Sequence, residues 1–355
     1  MKKEILQNQA PDVGSPRKTP LRVLVVGSHR FLDSMEWHVL DALPRIGAEA
    51  EFFEARARFA GTRSLAQKVM GKIVNLTMRE PERLFEARLL AAVERFDPQL
   101  VLVLLGNQLS PKTLQQLRSR TRAPIVCWCQ DQMTTLGRQF LLGAEYDAVF
   151  VKDRYMQDLF SRMIRSTSFH YLPEACNPRV HRSLELSDQD RVRYGCEVMI
   201  AGTLYYYRQE ILRQLEQFDL KVWGNVPDWL LYRLTRPHMG SEVVGDAKVR
   251  AARAARVALN PLHFAEVDGL NCRVFELAGC GAFQICTAKP VLAEHFQVGS
   301  EIETFTSAAE LVDKIRYYLD KPEEAAAIAA RGQLRAHRDH TYEARLEEIV
   351  RIALR

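Results

Sequence analysis

The stretch LNPLHFAEVDGLNCRVFELAGCGAF, residues 259–283, holds the densest set of groups able to do chemistry. An apolar run leads into a polar loop and then into NCRVFELAGCG, which has helical spacing with small residues along one side. Glu276 falls mid-helix among Phe275, Leu277 and Ala278, so its carboxylate is expected to be buried and to need donors. Vicinal hydroxyls, such as a ribose diol, or backbone amides would serve. Asn271 and Arg273 stand at the helix start, where a diphosphate would gain from the dipole, backbone donors and a guanidinium together. The plain alternative is an Arg273–Glu276 surface pair at spacing i, i+3, worth a few tenths of a kcal/mol. Asp268 precedes Glu276 by eight residues, about 80° out of line on one helix, so it is placed in the loop.

Other candidates follow apolar runs, where the loops of a parallel sheet converge. Asp131 comes after PIVCWCQ and would project into a cleft or cap the next helix; His29 and Arg30 follow LRVLVVG. His263 lies after Asn260-Pro261 and could touch a sugar, and Tyr205-Tyr206-Tyr207 could stack on a ring or pack a helix start. Neither GSHRFLDS nor AGTLYYYR carries GxGxxG, and no GxxxxGK[ST] occurs, which disfavours dinucleotide enzymes and P-loop hydrolases. Asp188-Gln189-Asp190 imitates a metal-binding DxD but follows no apolar strand, so no metal site is expected. Residues 56–79 carry six basic and no acidic side chains, either a solvated helix face or a surface for an anionic acceptor or membrane.

The elements that must position these groups are legible as short apolar runs alternating with helical stretches, the pattern of βα units. Runs at 21–27, 48–54, 100–106, 124–130, 147–152 and 168–173 form one set, and runs at 196–202, 219–224, 256–261, 282–286 and 301–305 a second. Their continuous apolarity predicts α/β architecture with sheets covered on both faces. The polar stretch between the sets places a hinge near Pro173 to Arg182. The expected division is a disordered tail at 1–18, a first Rossmann-like domain at 19–176 and a second at 177–340. A last helix at 341–355 would pack back on the first domain. Ser307 with Glu310 forms a plausible capping box ahead of SAAELVDKIRYYLD.

The 355-residue chain is 47% hydrophobic and 26% charged, an ordinary globular balance with room for two cores. A net charge of +5 is too modest for a dedicated nucleic-acid binder yet permits anionic ligands. No long uncharged apolar run and no apolar leader occur, so a cytoplasmic protein is expected. Seven Cys without a CxxC pair read as buried free thiols.

The segments GLNCRVFELAGCGAFQIC, FQVGSEIETFTSAAELVDKIRYYLDKPEEAAAIAARGQ and HTYEARLEEI resemble the C-terminal half of CgeB-like glycosyltransferases. These are a branch of the group 1, family 4-like enzymes of GT-B fold. YLPEACNPRVH is similar to that family's interdomain segment, and EVMIAGTLYYYR to the opening of its nucleotide-binding domain. The resemblance implies two Rossmann-like doubly wound domains facing across a cleft, a nucleotide-sugar donor held by the second, and no cofactor or obligatory metal. It places Glu276 on the ribose hydroxyls, Arg273 and Asn271 near the diphosphate, Gly202 and Arg208 beside the phosphates, and Gly224 near the base. Asp268, with Gly269 after it, takes the first position of the family's Glu-x7-Glu, one methylene shorter. Asp131 matches an aspartate at that place in the family; His29 and Arg30, after the first strand where the two domains would meet, are expected either to line the cleft or to be ordinary loop residues. The activity implied is sugar transfer to an acceptor that the sequence does not name, a glycan, protein or small molecule, with retention favoured. The rivals are a sugar-nucleotide epimerase of the same architecture and a non-catalytic protein that binds through residues 56–79.

Overall fold

The computed structural model describes residues 19–28, 31–55, 82–104, 109–133, 140–224 and 238–355. His29, Arg30, the basic stretch 56–79 and the tail 1–18 lie outside the described residues.

Two six-stranded sheets carry the fold. The first contains β1 (Leu21–Gly27), β2 (Ala48–Glu54), β3 (Leu100–Leu104), β4 (Ile125–Cys129), β5 (Ala148–Val151) and β6 (Ser168–Tyr171), in the order β2-β1-β3-β4-β5-β6. The second contains β7 (Cys196–Ala201), β8 (Leu220–Trp223), β9 (His238–Gly240), β10 (Ala255–Asn260), β11 (Gln284–Thr287) and β12 (Glu303–Phe305), in the order β12-β11-β10-β7-β8-β9. Every pairing is parallel. Eleven of these strands coincide with the apolar runs of the sequence. The exception is β9, a three-residue edge strand with no apolar run to announce it. Alternate residues feed opposite faces: Leu24 and Val26 join one core while Val23 and Val25 join the other. Both faces are covered, which is why the strands read as unbroken apolar runs.

The chain crosses between the sheets twice, side by side. The segment after β6 leaves the first sheet, and the last helix, Tyr342–Ala353, returns to it. Cys176 N–H donates to the His340 carbonyl at 2.9 Å, and Tyr342 N–H donates to the Cys176 carbonyl at 3.3 Å, joining the two crossings. Tyr342, Leu346 and Ile349 then enter the core of the first sheet beside Trp128 and Phe150.

Helix starts follow their caps. Ser34, Ser110 and Asn271 each accept a backbone N–H of the first turn. Ser187 and Asp190 form a full capping box, so the carboxylate of the DxD-like triplet serves a helix start. Ser307 accepts from Glu310 N–H, and the Glu310 carboxylate reaches back to Thr306 rather than to Ser307 itself. All seven cysteines are free and only Cys272 is partly exposed.

Candidate functional site

In the second sheet the strand order reverses between β7 and β10, and the crevice beyond their carboxyl ends is the natural ligand position. Gly202 ends the β7 turn at φ +104°, and a Cβ there would overlap the Arg273 guanidinium. Only glycine serves that position, because it must take a left-handed conformation and admit a side chain against its α-carbon. Gly224, after β8, packs its α-carbon on the Gly202 carbonyl, and Gly202 N–H donates to the Trp223 carbonyl at 2.8 Å. Arg208 lies buried in helix Tyr206–Arg213 and donates to the carbonyls of Thr203 at 2.9 Å and Pro261 at 3.3 Å. Burial, with the neighbouring charge of Arg273, lowers its guanidinium to about 10. Two cations thus neighbour each other beside the start of helix Cys272–Gly279, with no carboxylate paired to either among the described residues.

Asn271 and Asp268 stand where the sequence puts them, at the helix start and in the loop before it, and the protein engages both side chains. The Asn271 side chain caps its helix through Val274 N–H and exchanges two hydrogen bonds with Asn260, at 3.1 and 3.2 Å. That leaves its side chain committed to the protein, and only its position at the helix start is shared with a diphosphate site. Asp268 turns its carboxylate to Val291 N–H at 2.9 Å, where it caps the turn Pro290–Glu294. It is a brace between loops. Gly269 is held against Asp153, whose carboxylate accepts from Asp268 N–H at 3.2 Å. Arg154 N–H donates to the Asp268 carbonyl, and Lys152 pairs with Glu266 at 2.8 Å. Residues 152–154 of the first sheet therefore clasp residues 266–269 of the second.

Glu276 is buried as expected, at 4% exposure, but its donor comes from the protein. Lys248 Nζ stands 3.1 Å from one carboxylate oxygen, and His181 Nε2 3.9 Å from the other. The protein thus supplies donors that offset the desolvation of this carboxylate. Asp33 lies at the centre of the same group. Lys248 Nζ lies 2.6 Å from it, and Gly245 N–H donates to it at 3.0 Å. Its other oxygen is met by Nε2 of His38 at 2.9 Å and of His181 at 3.2 Å. Burial alone would raise the Asp33 carboxyl; His181, His38 and the Lys248 charge outweigh it and hold it far below the carboxylate range.

Asp33, His38, His181 and Glu276 lie close enough together to ligate a metal. Their hydrogen bonds describe something else. Asn177 N–H donates to His181 Nδ1 and the Asn177 amide donates to His38 Nδ1. Arg179 N–H, donating to Asn177 Oδ1, fixes that amide's orientation. Both imidazoles then carry their proton on Nε2; His38 donates to Asp33, and His181 Nε2 lies 3.2 Å from the same oxygen without hydrogen-bond alignment. The Lys248 ammonium lies among them, between Asp33 and Glu276.

Asp131 follows β4 and stands in a concavity: its side chain is solvent-exposed, yet surrounding protein raises its carboxyl. The Lys152 charge opposes that rise and the Glu266 charge adds to it. His263 is stacked on Phe264 at 4.4 Å and edge-on to Tyr205 at 5.3 Å. Sequence reasoning missed Asp33, Lys152, Glu174, His181, Lys248 and Glu266. For Lys152 and Asp33 a signal existed, since each follows a strand of the first sheet just as Asp131 does.

Residues 208–351 match the family model described as glycosyl transferase-like. The whole fold is similar to sucrose-phosphate synthase from Thermosynechococcus elongatus, at a TM-score of 0.68 and 12% identity over 94% of this chain and 98% of that one. It is also similar to Anabaena HepE, solved in complex with UDP-glucose, at 0.63 and 14% over 93% and 98%. A DNA-modifying β-glucosyltransferase follows at 0.57 and 10% over 94% and 100%. No curated protein matches the sequence. The fold is GT-B. Among the described residues no helix is long and apolar enough to cross a membrane.

Proposed function

We propose that the protein is a glycosyltransferase of the CgeB-like kind that takes its sugar from a nucleoside diphosphate donor. The family match over 208–351 and the GT-B fold support transferase activity; the finer reading rests on the pair Arg208 and Arg273. Two guanidiniums held together in a crevice repel each other, and a diphosphate bridging them removes that repulsion while gaining charge-assisted hydrogen bonds. The anion would lie against the Gly202 turn and the start of helix Cys272–Gly279, with the base toward Gly224. The same pair stabilises the departing diphosphate, so the reading needs no resident metal, and positioning carries the rest of the barrier reduction. Asp131, across the cleft, is the candidate to orient an acceptor hydroxyl. Retention at the anomeric carbon is part of the proposal.

Calorimetry with UDP in the presence of EDTA tests the diphosphate site. Arg273→Ala should weaken UDP about 10- to 100-fold, the range for losing a charge-assisted bond, with an unchanged melting temperature. Equal affinity in wild type and variant would remove the assignment. Incubation with donor alone separates transfer from epimerisation, since a new sugar nucleotide would mark an epimerase. NMR of the product's anomeric proton reads retention.

A further inference from the structure

The crossing that follows β6 carries a buried carboxyl, Glu174, on a backbone fixed at both ends. Leu172 N–H donates to the Val151 carbonyl at 2.8 Å, continuing β6 alongside β5, and Trp128 Nε1 donates to the Leu172 carbonyl at 3.2 Å. Arg345 Nε donates to the carbonyls of Pro173 at 3.1 Å and Glu174 at 3.4 Å. Two residues on, Cys176 packs against helix Cys272–Gly279, where a Cβ built on Gly279 would lie 3.0 Å from the Cys176 Cβ. Glu174 therefore stands between the end of the first sheet and the helix whose start borders the diphosphate crevice. Its strand neighbours belong to the same cleft, since β4, β5 and β6 lie side by side and Asp131, Lys152 and Glu174 follow their carboxyl ends.

Glu174 is 7% exposed, and no hydrogen bond or ion pair reaches its carboxyl among the described residues. The nearby Lys152 ammonium is committed to Glu266 at 2.8 Å. Burial raises the Glu174 carboxyl to about 7; the Lys152 charge opposes the rise, and those of Glu276, Asp131 and Glu266 add to it. Glu174 acts in turn on the first residue of the helix: burial raises the Cys272 thiol, and the Glu174 and Glu276 charges raise it further. From the last helix the group that feels it is Tyr342, a phenol pushed up by burial and by the same carboxyl. A carboxyl without donors is less costly to bury as the acid, and the acid has an O–H to give.

We infer that Glu174 is the acid of the transfer reaction, its O–H facing the phosphate oxygen that carries the sugar. As the bond from that oxygen to the anomeric carbon breaks, the proton passes from Glu174 to the oxygen. The acceptor hydroxyl forms the new bond to the anomeric carbon and returns its proton to the Glu174 carboxylate, so none is gained or lost over the cycle. The inference rests on the transferase reading and adds a group that reading lacks: the arginine pair neutralises charge but keeps its protons at neutral pH.

Calorimetry of UDP binding at about pH 7, in two buffers of unlike ionisation enthalpy, counts the protons that accompany it. The diphosphate charge favours the acid form, so wild type should take up about half a proton more per UDP than Glu174→Gln. The variant should bind UDP within about threefold of wild type. Its release of UDP from UDP-glucose, with water as acceptor, should fall about 100-fold or more. Equal proton counts or equal UDP release overturn the role. Wild type alone decides it as well: its UDP affinity should fall by about fivefold or more between pH 7 and pH 9, and a flat affinity overturns the role. If wild type does not bind UDP, the transferase reading falls and the role of Glu174 with it. UDP binding without the additional proton removes Glu174 alone and leaves that reading intact.

Discussion

Lys248 of helix Asp246–Ala254 stands 2.6 Å from Asp33, which follows β1 of the first sheet, and 3.1 Å from Glu276. One ammonium is thereby shared by two buried carboxylates from opposite halves of the molecule.

Replacing Asp33 removes the centre of that group. Asp33→Asn leaves Lys248 with one carboxylate and turns an amide NH2 toward donors on one side of the group, a buried break of about 3–5 kcal/mol. Urea unfolding should show the loss. The pH dependence follows from the depressed carboxyls: Asp33 and Glu276 both lie below their ordinary 3.8 and 4.5, so their contribution is whole above about pH 5 and drains as pH falls. Wild type should lose melting temperature steadily below that point, and Asp33→Asn less steeply. Parallel acid slopes would contradict the charge assignment.

The strands and the start of helix Cys272–Gly279 were legible in the sequence because apolar runs and a capping residue are local signals. The pairing of Asp33 with Lys248 was not, since 215 positions separate them and only the crossing of two sheets brings them together. Glu276 shows the limit within a single residue. Its neighbours predicted burial correctly, but which donor would meet it depended on helix Asp246–Ala254, which has no sequence relation to it. Asp268 shows the converse, a residue matching a family position whose carboxylate the fold turns toward Val291.

Gly202→Ala tests whether backbone shape at β7 holds the cation pair. The new methyl must displace the Arg273 guanidinium, and φ +104° adds strain of about 1–3 kcal/mol. Calorimetry should find UDP binding weakened as in Arg273→Ala, with melting temperature lowered only modestly. Wild-type affinity would show that Arg273 does not need the glycine to reach its ligand.

Two histidines set a second pH effect. Burial, then the charges of His340, Arg345 and other neighbours, lowers His295 to about 3. Burial and Arg345 lower His340 to about 4. Both are neutral when folded and ordinary, near 6.5, when unfolded, so the unfolded chain takes up more protons between those limits. Stability is full above about pH 6.5 and falls toward pH 4, by on the order of 1.4 kcal/mol per pH unit for each group. Calorimetric melts from pH 8 to pH 4 should begin to decline before the carboxylates titrate. A flat melting temperature from pH 7 to pH 5 would refute this.

The last helix stabilises the sheet farthest from it in sequence. Tyr342 and Leu346 are nearly inaccessible, and Tyr342 stacks on His38 at 4.8 Å. Arg345, also buried, donates to the Pro173 carbonyl at 3.1 Å and to His340 Nδ1 at 3.1 Å, holding the two crossings together. Leu346→Ala opens a cavity in the first core and should cost about 2–5 kcal/mol. Because Leu346 belongs to the core of the first sheet, which holds residues of β1, β3 and β4, and not to that of the second, the loss should be uneven. Hydrogen exchange should accelerate in those three strands while β7 and β10 keep their protection. Equal acceleration in both sheets would mean that the two halves unfold as one unit and that the helix braces the whole molecule.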